Sequence, residues 1–129
     1  MNNINFKREI DGTFDSAIER TTKALATEGF GVLTRIDMHS KIKDKTGKDI
    51  IPTVILGACN PNLAYEAYTS NSDVASLLPC NAVVREVAPG KISVELVKPT
   101  AMMQMVGDAK LLELAHEADD RLERALNNI

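Results

Sequence analysis

Tryptophan is absent from this 129-residue sequence, and two Tyr and three Phe are the only other large aromatics. The core must therefore be built from Ile, Leu, Val, Ala and Met, and platforms on which bases could stack are scarce. An excess of positive charge is missing too. Fifteen Lys and Arg face 18 Asp and Glu, giving a net charge of −3 and a pI near 5.4. Phosphate contacts normally leave a basic footprint, so no nucleic-acid partner is expected. The longest apolar run, Ile50 to Cys59, contains Pro52 and Thr53. It falls well short of the ~20 residues that span a bilayer, so no membrane partner is expected either. The first ten residues are polar and of mixed charge, unlike a secretory signal. The expectation is a cytoplasmic protein whose two cysteines stay reduced and form no static disulfide. Glycine-rich phosphate loops, nucleophile elbows and HExxH are all lacking, so no catalytic base and no cofactor can be named.

What is present reads as one domain over residues 1–129, long enough to bury a core without metals or disulfides. Residues 4–10 alternate as a strand, with Asp11-Gly12 as its break. Thr13 suits an N-cap, followed by Phe14, Ala17, Ile18, Thr21, Ala24 and Leu25 at helical spacing up to Gly29. From Gly31 a period of two predicts a long strand reaching Lys43, then a hairpin turn over residues 44–49 and a returning strand over 50–56. Asn60 and Pro61 open a helix, and a second capped turn begins near Ser72. Residues 82–87 and 91–97 form a hairpin around Ala88-Pro89-Gly90. A last helix runs from about Asp108 to Asn127, with Leu111, Leu114, Ala115, Ala118 and Leu122 in its stripe. Hairpin connections dominate. The fold class is therefore α+β, two layers, with a mainly antiparallel sheet and helices on one face.

The chemistry worth weighing lies between Gly57 and Val84. Cys59 is followed by Asn60-Pro61, and Cys80 is preceded by Pro79. If the flanking strands are antiparallel neighbours, both thiols lie at one rim of the sheet. A helix start after Cys59 is expected to stabilise its thiolate, making it the more reactive of the two. Against this stands the commonest role of cysteine, a small buried hydrophobe. Two thiols also fall short of the four ligands of structural zinc, so no metal site is assigned.

Gly57-Ala58-Cys59-Asn60-Pro61 with Ala64, and then Leu77-Leu78-Pro79-Cys80 before Val83-Val84, resembles the domain-of-unknown-function family 302. The resemblance covers nearly the whole chain. It implies a β-α-β(4)-α domain like the halves of TATA-binding protein, and a homodimer. It also implies that Cys59, Asn60, Pro61, Pro79 and Cys80 are the signature positions, with no established activity.

Other candidates have plainer readings. His39 and His116 are the only imidazoles, and nothing places them together. Lys41, Lys43, Lys45 and Lys48 read as a solvated edge that discourages aggregation. Met102, Met103 and Met105 read as gap-fillers beneath the last helix. The expected function is the binding of a small ligand, a sulfur species or a soft metal at a rim site near Cys59 and Cys80. The alternatives are a thiol-redox enzyme using both cysteines and a dimeric interaction module in which they are inert. An exposed edge strand and the Met-rich segment favour a homodimer.

Overall fold

The opening alternation forms strand β1, Asn5–Asp11. Thr13 then accepts the Ser16 N–H at 3.1 Å and starts helix α1, Phe14–Thr27. The computed structural model describes residues 3–129. Strand β2 is Gly31–Asp37 and β3 is Thr53–Cys59. Helix α3, Pro61–Ser70, lies beyond β3 and is followed by a 3-10 segment, Ser72–Leu77. Strands β4, Cys80–Ala88, and β5, Lys91–Val97, make the last hairpin. The chain closes with α4, Pro99–Met103, and α5, Ala109–Asn127. All neighbours in the sheet are antiparallel, in the order β1-β5-β4-β3-β2.

One part of the sequence reading is corrected here. The long strand to Lys43 and the hairpin turn at 44–49 do not form. The chain leaves β2 at Asp37 and winds into helix α2, Met38–Thr46. None of the residues of α2 is buried, so its polar residues fit an exposed helix as well as an exposed strand. Two contacts favour the helix. The His39 Nδ1 accepts the Thr53 N–H at 3.0 Å, occupying the first donor of β3. Gly47, in the left-handed region at φ 72°, gives its N–H to the Lys43 carbonyl and stops the helix. Lys43 and Lys45 therefore oppose the negative end of a helix rather than line a hairpin. The third strand begins at Thr53, after Pro52, and continues to Cys59.

Helices α1 and α5 bury one face of the sheet. Ile18 and Leu25 from α1, and Leu122, Ala125 and Leu126 from α5, pack with Val54, Leu56, Val84, Ile92, Val94 and Leu96. A second apolar cluster joins Ala67, Val74, Met103, Leu111, Leu114 and Ala115. It sits where α3, α4 and the start of α5 meet. Asp108 caps α5, accepting the N–H groups of Lys110 and Leu111 at 2.9 and 3.2 Å. The Arg8 guanidinium donates to the carbonyls of Leu126 and Ile129, tying the far end of α5 to β1.

The opposite face is organised in cross-strand rows. One row runs Lys7, Glu95, Val83, Ile55, Ile36 from β1 to β2. The next carries Asn5, Val97, Asn81, Gly57 and Thr34. A bulge between Val32 and Thr34 turns Leu33 out, 67% exposed, on the edge strand β2.

Candidate functional site

Strands β3 and β4 carry the two cysteine motifs to the same end of the sheet, but offset by one residue. Cys80 stands opposite Ala58, not Cys59, and Cys59 stands opposite Gly31. Side chains alternate along a strand, so Cys80 shares the helix-side parity of Ala58, Ala82 and Val84. Cys59 has the parity of Ile55 and Gly57. The expected cysteine pair is therefore not formed: the two cysteines are not near each other, and both are free. One rung of offset in a pleated sheet is enough to separate them.

The expectation of a lowered Cys59 pKa is also corrected. Burial pushes the Cys59 thiol up from its ordinary value. The free donor at the start of α3 goes elsewhere, because Asn60 Oδ1 accepts the Leu63 N–H at 3.2 Å. Cys80 is shifted further, to about 11, chiefly by burial and then by the charges of Cys59 and Asp119. Those charges act through space and need no contact. The Asp119 carboxylate itself is engaged at the start of α4, accepting from the N–H and Oγ1 of Thr100 at 3.1 and 2.7 Å.

The remaining signature residues have separate places. Asn60 is 8% exposed and braces the end of α1, its Nδ2 reaching the Glu28 carbonyl at 3.5 Å. Gly29 makes that approach feasible: it sits at φ 83°, and a Cβ there would lie 2.9 Å from Asn60 Nδ2. Pro61 is the first residue of α3 and faces a polar cleft shared with Tyr65, Glu117 and Arg121. Pro79 lies on the opposite face of the sheet, against Gly57. A Cβ on Gly57 would collide with Thr34 Oγ1 and come within 2.8 Å of Pro79 Cγ.

Three of the five meet at one cavity. Cys59, Asn60 and Cys80 join Phe30, Leu63, Met103, Leu111 and Ala115 around a space of about 50 Å³ between the two apolar clusters. This is room for about four water-sized groups. The sequence marked only the strand side of this wall. The α5 residues were legible as a core stripe, but nothing in their spacing said that the stripe stops short of close packing. His116 lies on α5 and is absent from the wall, and among the described residues no group of three His, Cys, Asp or Glu could hold a metal.

Residues 6–129 match the model of a family described as a domain of unknown function, DUF302. The chain belongs to that family. A crystal structure of an uncharacterized conserved DUF302 protein from Bacillus stearothermophilus superposes with a TM-score of 0.90. That protein is 32% identical, and the match covers 98% of each chain. No curated protein matches the sequence.

Proposed function

We propose that this DUF302 chain is a small binding protein that takes an apolar group into the cavity between its two cores, beside Cys80. The observation that carries the reading is the convergence of Cys59, Asn60 and Cys80 on one apolar space. At about 50 Å³ the space suits a short alkyl tail or a ligand of a few heavy atoms rather than a large cofactor. The donor set supports an apolar ligand over a soft metal, because among the described residues no third ligand joins the two cysteines. Both thiols also have raised pKa values, which supports contact by a neutral SH group rather than attack by a thiolate. Native mass spectrometry of anaerobically purified protein, beside an Ala115→Leu variant that fills the cavity, tests the reading. The expected result is an added mass on the wild type that the variant lacks. No added mass, or one the variant retains, refutes it.

We also propose a homodimer. Leu33 and Ile36 are exposed on edge strand β2, and Met105 is 71% exposed beyond α4. Light scattering is expected to give twice the 14.1 kDa chain mass at micromolar concentration. A value near the chain mass refutes it.

A further inference from the structure

The cysteine cavity has a neighbour. Asn60 and Leu63 line both the apolar space between the two cores and a wider cleft of about 660 Å³ between α3 and α5. One layer of side chains therefore separates the two spaces. The cleft is open to solvent, and its polar side chains include Tyr65, Glu66, Glu117 and Arg121. Two donors stand at the shared wall. Asn60 Nδ2 and Arg121 Nη1 both donate to the Glu28 carbonyl, at 3.5 and 3.4 Å, so the guanidinium lies beside the Asn60 amide. Arg121 Nε donates to Glu117 Oε2 at 3.2 Å. Among the described residues no hydrogen bond engages Arg121 Nη2, and Asn60 Nδ2 keeps a second N–H. The cleft's other acid, Glu66, lies farther out, about 9 Å along α3 from Asn60.

Taking the cavity as the ligand site proposed above, we infer that cavity and cleft together hold a short-chain carboxylate, its alkyl tail in the cavity and its head on Arg121 and Asn60. The tail has about four carbons, since a methylene fills about the room of a water and the cavity holds about four. The carboxylate itself is not buried. It stays in the open cleft, where a charge keeps most of its hydration. Glu117 holds the guanidinium through Nε alone, and its side chain is 54% exposed, so that pair is weak and leaves Nη2 for the ligand. A cationic head meets Arg121 first at this wall and reaches Glu66 only farther out, so it is disfavoured.

Amide NMR titration of the full chain at neutral pH with pentanoate, 1-pentanol and pentylammonium tests the inference, since the three share a butyl tail and differ in the head. The expected result is saturable shifts at Leu111 and Ala115, with pentanoate preferred over pentanol by about fivefold, the upper end for a part-exposed ion pair. Pentylammonium binds the weakest. Arg121→Gln removes the preference and keeps pentanol binding, whereas Glu117→Gln, which frees the guanidinium, raises the preference. Ala115→Leu, which fills the cavity, removes binding of all three. Pentanol or pentylammonium binding as tightly as pentanoate at Leu111 and Ala115 overturns the carboxylate assignment and leaves the apolar cavity standing. So does an unchanged preference in Arg121→Gln; if that variant does not fold, the wild type and Glu117→Gln decide. Pentanoate shifts confined to the cleft, or retained in Ala115→Leu, overturn the joint site. No shift at Leu111 or Ala115 with any of the three overturns this inference and the cavity reading together.

Discussion

Raising the pH should weaken the fold through Cys80. Its thiol is shifted from 9.0 to about 11, mainly by burial. In the unfolded chain the group ionises near the ordinary value, so between pH 9 and 11 the unfolded state has lost a proton that the folded state keeps. Stability therefore falls as pH rises through that window, by about 1.4 kcal/mol per unit and about 3 kcal/mol in all. Below pH 9 the thiol is protonated in both states and the full contribution is present. Lys and Tyr side chains titrate in the same range, so the measurement is a difference. Urea unfolding of the wild type and of Cys80→Ala is followed from pH 8 to 11. At pH 8 the variant is the less stable, because it loses the packing contacts of a half-buried sulfur. By pH 11 the gap has closed or reversed. A gap that stays constant within about 0.5 kcal/mol across the window refutes the argument from the raised thiol. The same shift cuts the thiolate fraction at pH 8 about a hundredfold, so alkylation of Cys80 should lag far behind that of an ordinary thiol.

Leu122 is 2% exposed among the residues joining α5 to the sheet, so Leu122→Ala should cost about 2–5 kcal/mol in urea unfolding. A loss below about 0.5 kcal/mol would mean that α5 is peripheral to the core. Gly57→Ala drives a methyl into Thr34 and Pro79 and should cost about 1–3 kcal/mol. Adding Thr34→Ala should restore part of that loss. If the double variant is no more stable than the single one, crowding at Thr34 is not the cause.

The elements that the sequence made legible are those with a strong pattern and a specific cap. Thr13, Asn60 and Asp108 start helices as their side chains and spacing imply, and the β4–β5 hairpin turns at Ala88-Pro89-Gly90. The region after Asp37 was not legible, because α2 buries nothing and its polar residues fit either period. His39 decides between them through a hydrogen bond to Thr53, fourteen positions on, which no local pattern encodes. The cysteine placement was half legible. Antiparallel order puts both at one end, but which residue faces Cys80 depends on the β3–β4 register, and a shift of one exchanges the faces.

The pairing of the first strand with the fifth has a consequence for the chain as it leaves the ribosome. Asn5 meets Val97 and Asp11 meets Lys91, whereas β2 through β5 each meet a strand made shortly before or after. The nascent β1 has no partner until β5 has emerged, and Arg8 has none until the end of α5 follows. Contacts of such long sequence separation are costly to close early, so the β2–β5 meander is expected to form first and to hold an open edge for β1. During synthesis Phe6 and Ile10 remain unburied for most of the chain's length, and this is the interval in which a chaperone or a second nascent chain could compete for that edge.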